Sequence, residues 1–305
     1  MAGKNIIMSR GVPVQKNDPA ILQTLSDKAV TRLVNGKITD YNGSNIDPYE
    51  FILADFKNLA STDYAGIEIR ITDVHQTSAG VGGVTFIGGS SWICTSPQIY
   101  YATRVAGIAA FPAATYPGLR MVFGDVPGTP LLKSNSTRYV PVSGIATLSK
   151  GVYGTSAYPT KSITDTSTAF SFDISTPTFP AGLFADGDSF DCIIRVKRHG
   201  INGAMTIKFG IGTAGDSTDD GIFAQTVTLT DLAVATGDIR CDVADATHFV
   251  TNYSNGKVSA GAVSQVVDKT TNFNTASAMK LSITGSKNAN DTIDLLSYSF
   301  VWLAI

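Results

Sequence analysis

The chain has 305 residues, of which 43% are hydrophobic and 16% charged, against roughly 25% charged in an average globular chain. A net charge of −2, with 23 scattered Lys and Arg, argues against nucleic acid, because a duplex-binding surface needs clustered cations to displace counterions. No stretch is apolar for the roughly 18 residues of a membrane-spanning helix, and residues 1–30 lack the apolar run of a secretory signal, so membrane insertion and signal-directed export are not expected.

Ser, Thr, Asn, Ala and Gly replace the missing charge, with 29 glycines. That mixture suits short strands joined by tight turns and contact surfaces depleted in charge. Cys94, Cys192 and Cys241 are too few and too far apart for a disulfide framework and read as buried, inert thiols.

Residues 1–57 form an N-terminal attachment region. Asp18-Pro19 resembles a cap followed by Pro in the first turn, and Ile21, Leu22, Leu25 and Ala29 follow at helical spacing. A helix is predicted from about Pro19 to Leu33, as a docking arm or as a helix packed on its own domain. Tyr49, Phe51, Ile52, Leu53 and Phe56 suit either a second short helix or a strand.

Residues 58–145 contain an internal repeat. Tyr64-Ala65-Gly66-Ile67-Glu68-Ile69-Arg70-Ile71-Thr72-Asp73-Val74 matches Tyr116-Pro117-Gly118-Leu119-Arg120-Met121-Val122-Phe123-Gly124-Asp125-Val126. The common pattern is Tyr-x-Gly-φ-x-φ-x-φ-x-Asp-Val, with φ apolar, and its alternation marks a half-buried strand. Return strands follow at Phe86-Ile87 and Trp92-Ile93, and at Leu131-Leu132 and Tyr139-Val140. Each copy reads as a β-hairpin module too small to bury its apolar face alone, so it must stack on the other copy or on another chain.

Residues 146–160 read as a linker. From 161 to 305, strand patterns recur at Ala169–Ile174, Phe190–Val196, Ala204–Phe209, Ile222–Leu229, Ile239–Val243, Met279–Ile283 and Ile293–Trp302. Turn signals such as Asp186-Gly187, Asn202-Gly203 and Asn255-Gly256 lie between them. This spacing predicts an antiparallel sandwich, with the jelly roll as the expected form. The fold class is therefore mainly β: a short helical arm, two repeated β-hairpin modules and a C-terminal jelly roll.

The repeat resembles the small β-module of tailed-bacteriophage fibres and tail-associated proteins. There a Gly-φ-x-φ-x-φ-x-Asp-Val strand precedes a return strand bearing Trp or Tyr and a Pro-Val-x-Gly exit, matched here by Pro141-Val142-Ser143-Gly144. Phe179 to Phe184 with Gly187 to Asp191 looks like the start of the terminal jelly roll of such fibres, and Asn290 to Leu295 with Tyr298 to Trp302 is similar to their final strands. The resemblance implies a structural protein of the virion, assembled in the host cytoplasm: a homotrimeric fibre or spike subunit. Its N-terminal region would meet other virion proteins, and its distal jelly roll would meet a host surface glycan or protein. A capsid decoration or collar protein, and a glycan-cleaving spike, are the other readings.

Catalysis finds little support in the sequence. His75, His199 and His248 stand apart, and there is no Gly-x-Ser-x-Gly elbow, zinc-ligand spacing or phosphate loop. Asp186, Asp188 and Asp191, and Asp216, Asp219 and Asp220, read as turn chemistry, with Ca²⁺ ligation or a hydrolytic carboxylate pair as the sharper options. No catalytic residue, metal or cofactor is assigned. Arg195, Lys197, Arg198 and His199 read as the exposed end of a strand, and Trp92 and Trp302 as core or subunit interface. Tyr153, Tyr158, His248, Tyr253 and Asn255 sit in linker or loop contexts. Of these, His248, Tyr253 and Asn255 are the receptor-binding candidates, expected on loops at the distal end.

Overall fold

The structure is a computed structural model describing residues 6–9, 12–15, 32–34, 37–39, 49–66, 68–80, 83–154, 161–164, 166–174, 177–200, 203–229, 231–252, 257–258, 261–262, 266–269 and 272–305. Near the N-terminus, β1 (Ile6–Ser9), β2 (Val12–Gln15), β3 (Arg32–Val34) and β4 (Lys37–Thr39) form one sheet in the order β2-β1-β3-β4. The helix predicted from Pro19 lies outside the described residues as far as residue 31. Its expected last residues, Arg32 and Leu33, are strand instead, paired with Thr39 and Ile38.

The repeat is larger than a hairpin. In the first copy, β5 (Tyr49–Phe51) leads into helix α1 (Leu53–Phe56), a 3₁₀ turn (Ser61–Tyr64) and the meander β6 (Glu68–His75), β7 (Gly83–Ile87) and β8 (Ile93–Cys94). In the second, β9 (Ile99–Tyr101) leads into α2 (Arg104–Ala110) and the meander β10 (Arg120–Phe123), β11 (Leu132–Ser134) and β12 (Tyr139–Pro141). Each opening strand runs parallel to the first meander strand of its own copy, β5 beside β6 and β9 beside β10. A helical crossover between parallel strands is the usual solution for that geometry. The group around Tyr49 to Phe56, readable as helix or strand, is both in succession.

The Tyr, Gly, inner apolar and Asp positions of the signature each have a physical cause. Tyr64 and Tyr116 are buried in the core. Gly66 and Gly118 hold φ of +75° and +80°, a region that favours glycine, and their amides donate to Gly88 and Ser134 carbonyls on the return path. The alternating apolar residues Ile69, Ile71, Met121 and Phe123 are fully buried. The aspartate reaches back to its own helix: Asp73 Oδ1 accepts the Leu53 amide at 2.7 Å, and Asp125 Oδ1 accepts the Arg104 amide at 2.8 Å. The residue preceding α1, Ile52, offers no side-chain cap, so Asp73 supplies the acceptor that the open helix end lacks. Asp73→Ala and Asp125→Ala are each expected to cost about 1 kcal/mol. Urea denaturation checks this, and a change within error at both positions would contradict it.

The two copies share one aromatic core. Phe86 of the first lies 5.8 Å from Phe111 and 6.3 Å from Tyr116 of the second, and 4.9 Å from Phe56. The apolar face that a single meander cannot cover is therefore covered by its duplicate within the same chain.

The C-terminal region begins earlier than its sequence suggests. Residues 145–152, placed largely in the linker, form β13 (Ile145–Val152), which pairs with the last long strand along its whole length. Its Gly, Ser and Thr content disguises a strand whose Ala146 and Leu148 face the core. The strands that follow are β14 (Lys161–Ile163), β15 (Ala169–Phe172), β16 (Thr178–Phe179), β17 (Ser189–His199), β18 (Gly203–Gly212), β19 (Asp220–Leu229), β20 (Val234–Asp245), β21 (His248–Asn252), β22 (Lys257–Val258), β23 (Gly261–Ala262), β24 (Val266–Lys269), β25 (Met279–Ser286) and β26 (Thr292–Leu303).

Two sheets face each other. One runs β13-β26-β17-β20-β21-β24 with β14 also on β26, and the other runs β15-β25-β18-β19 with β16 also on β25. The chain alternates between sheets as a folded ribbon: β13 and β14 pair with β26, β15 and β16 with β25, β17 with β20 and β18 with β19. That nested, fully antiparallel order is the jelly roll. Its core is aromatic, with Phe300 5.2 Å from Phe179 and 5.0 Å from Phe190, and Trp302 5.8 Å from Phe184.

Candidate functional site

The repeated module and the jelly roll meet at one buried carboxylate. Asp188, at the turn entering β17, is 0% exposed. Arg138, before β12, grips both of its oxygens with a forked guanidinium, the geometry that makes Arg–carboxylate pairs strong. Asp188 also accepts the Trp302 indole N–H at 3.0 Å, the Ala185 amide at 2.9 Å and the Ile305 amide at 3.4 Å. Arg104 of α2 adds a second tie, donating to the Ala181 carbonyl at 2.9 Å. Sequence reading placed Asp188 in ordinary turn chemistry. The structure makes it the hub of the junction, and its partners stand too far off in sequence to show in any local pattern. Asp219 does what a turn aspartate does: it is buried and accepts the amides of Ala214, Gly215 and Asp216.

The basic run on β17 also differs from its first reading. Strand alternation puts Phe190, Cys192, Ile194, Val196 and Arg198 on one face, and that face is the core. Arg198 is therefore buried, paired with buried Asp291, while His199 Nε2 lies 2.7 Å from Asp294 Oδ2 on the outer side.

His248 starts β21, with Nδ1 2.7 Å from Asp245 Oδ1. The Thr247 amide, first, and His248 hold the Asp245 carboxyl down to about 2. The register sets this turn beside Asp188, whose backbone carbonyl accepts the Val243 amide at 2.7 Å. His248 thus belongs to the end of the sandwich that meets the module, not to the distal end where receptor loops were expected. Tyr253, Asn255 and Tyr158 lie outside the described residues. Tyr153 packs on Tyr298 with ring centroids 6.5 Å apart. The structure brings none of the described candidates together.

It does form a cleft of about 420 Å³ where the copies meet, and sequence reading did not single this out. Trp92, Cys94, Thr95 and Ser96 come from the first copy, and Tyr116, Arg120 and Lys133 from the second. The volume is that of a small-ligand site, about 300–1,000 Å³. Trp92 is partly buried, packed against Phe56 at 4.8 Å and Tyr64 at 5.8 Å. Burial pushes the Cys94 thiol up to about 11, which keeps it protonated and a poor nucleophile at neutral pH. Among the described residues no group of His, Cys, Asp and Glu is placed to hold a metal ion, and no helix is long and apolar enough to cross a membrane.

No protein-family model matches the chain, and no curated protein matches its sequence. Solved structures similar to it include a protein of unknown function from Shewanella oneidensis MR-1, at 12% identity over 52% of this chain and 75% of that one (TM-score 0.30). Another is the CBM2 module of the evolved Dit of Lactobacillus casei BL23 phage J-1, at 13% identity over 43% and 69% (TM-score 0.25). Peanut lectin aligns at 8% identity over 52% and 97% (TM-score 0.27). Likeness at this level assigns no activity.

Proposed function

We propose that the chain is a non-enzymatic structural subunit of a phage particle, a trimeric fibre or spike component that binds rather than transforms its target. The observation that carries this reading is the Asp188 junction. It ties a duplicated βαβ meander module to a jelly roll through a buried forked ion pair, an indole hydrogen bond and the Ile305 amide, so the two parts act as one stiff body. A particle appendage needs that stiffness to hold a recognition surface away from its base. The resemblance of the repeat and of the closing strands to phage fibre proteins points the same way.

Oligomerisation has a surface available. On the face of the larger sheet opposite buried Ala146, Trp302 and Phe190, Ile145 and Ile193 are exposed, and Val301 and Leu303 between them are half-buried. Multi-angle light scattering is expected to give three times 32.1 kDa, and an antibody to the chain is expected to decorate an appendage on purified particles. A monomer at micromolar concentration contradicts the trimer. Absence of the chain from purified particles contradicts the virion role.

A further inference from the structure

We infer that the cleft between the two repeat copies is a binding site for an acidic saccharide. Arg120 and Lys133 stand directly opposite one another on β10 and β11, and both are exposed. Like charges at paired positions of an antiparallel ladder repel and destabilise it. Among the described residues neither cation is in an ion pair, and the cleft they line contains no Asp or Glu.

The first copy provides an internal control. Its register pairs Glu68 with Ile87 at the two positions that Arg120 and Lys133 hold in the second. The neighbouring buried positions stay apolar in both copies, Ile69 opposite Phe86 and Met121 opposite Leu132. The fold therefore needs the buried pair but not the cations, since the same strands form with Glu and Ile. Only in the second copy do two positive charges converge on a cleft, where a bound anion would relieve their repulsion.

The rest of the lining narrows the ligand. Trp92, half-buried at the cleft, offers an apolar ring body with a polar tip, and the Ser91 hydroxyl can exchange hydrogen bonds with a polyol, as can Thr95 and Ser96 beyond the bonds they already make to Thr85. Thr95 is partly committed, donating to Glu68 Oε1 at 3.1 Å. That carboxylate lies next to the cleft and favours a ligand whose acidic group sits at the Arg120–Lys133 side. A ring face, hydroxyls and paired cations together suit a sugar bearing a carboxylate or sulfate better than a bare inorganic anion.

This inference rests on the binding role proposed above, and titration of the purified chain reads it without any particle. Trp92 and Trp302 are the two tryptophans, and Trp302 is fully buried in the jelly roll, so ligand-dependent fluorescence reports on Trp92. Oligosaccharides carrying uronate, sialate or sulfate groups, their neutral counterparts, and inorganic phosphate are titrated in turn. At least one acidic series is expected to change the emission saturably, at least tenfold more tightly than its neutral counterpart, with phosphate unable to compete at equal concentration. Converting the cleft to the first copy's residues, Arg120→Glu with Lys133→Ile, is expected to weaken binding at least tenfold while leaving the melting temperature unchanged or higher. Arg120→Gln alone gives a milder version should the double variant fold poorly. Equal affinity for acidic and neutral sugars, full competition by phosphate, undiminished binding in the variants, or no saturable change with any acidic series would each overturn the inference. Product release assayed in the same samples separates the two claims: turnover would refute the non-enzymatic role while leaving the site's ligand class standing.

Discussion

Asp188→Ala is expected to be among the most damaging single substitutions in the chain, costing about 3–5 kcal/mol, the range for removing one partner of a buried ion pair. Two consequences combine. The Trp302 indole N–H, buried with its side chain, loses its acceptor, a loss of about 1–3 kcal/mol for an unsatisfied buried donor. The Arg138 guanidinium loses both its bonds to the carboxylate. Its side chain keeps 17% exposure, so water recovers part of that loss and the total stays toward the lower end. Asp188→Asn retains the shape and one oxygen but turns an N–H₂ toward the Arg138 donors, and it is expected to fall between the wild type and Asp188→Ala. Guanidinium denaturation followed by far-UV circular dichroism measures the series. A loss below about 1 kcal/mol for Asp188→Ala would remove the junction from the argument for a stiff particle subunit.

The second large effect is expected at Asp291. Arg198 and Asp291 are both fully buried and directly paired, and Arg198 also donates to the Gly203 carbonyl. Asp291→Ala removes the carboxylate paired with a buried guanidinium, at about 3–5 kcal/mol. The double variant Arg198→Met with Asp291→Leu removes both charges and keeps apolar volume, so it is expected to recover at least about 2 kcal/mol of that loss, because well-packed apolar replacements of buried pairs are often neutral or stabilising. The comparison separates the cost of breaking the pair from the worth of the pair, and a double variant no more stable than the single one would contradict the account. Gly200 leaves room for the Asp291 carboxylate: it holds φ of +136°, and a Cβ there would lie 2.2 Å from Asp291 Oδ1.

Much of the jelly roll was legible because strands announce themselves by parity. Phe190, Cys192, Ile194 and Val196 alternate inward just as the sequence reads, and the closing strand alternates in two runs, Ile293 and Leu295, then Tyr298, Phe300 and Trp302, on either side of a bulge. Arg198 falls on the same parity. Parity alone places it inward, although its charge suggests exposure. The repeat was legible as a strand, while β5 and α1, three and four residues long, are too short for any period to emerge. The role of the signature aspartate does not show in the sequence because its partner, a helix amide in the preceding crossover, is a tertiary contact.

The candidate site was hidden for the same reason. Asp188 draws on Arg138, Trp302 and Ile305, which only the fold brings together. The cleft arises from a difference between aligned copies, Glu68 against Arg120, which pattern matching passes over because both are polar positions on the outer face. Tyr253 and Asn255, singled out as receptor contacts, lie outside the described residues, and His248 sits at the junction end.

The pairing of the first jelly-roll strand with the last has a mechanical consequence. Ile145 lies opposite Leu303, and the Gly144 carbonyl accepts the Ala304 amide at 2.9 Å, so the chain enters and leaves the sandwich side by side. Tension applied between the N-terminal module and residue 305 would peel β13 from β26 one hydrogen bond at a time, like a zipper. Tension between the module and the opposite end of the sandwich, where β17 ends and β26 begins, would instead load those bonds along the strands and in parallel. A tether that grips its target through the far loops is therefore mechanically strong, whereas one loaded through residue 305 would give way at low force.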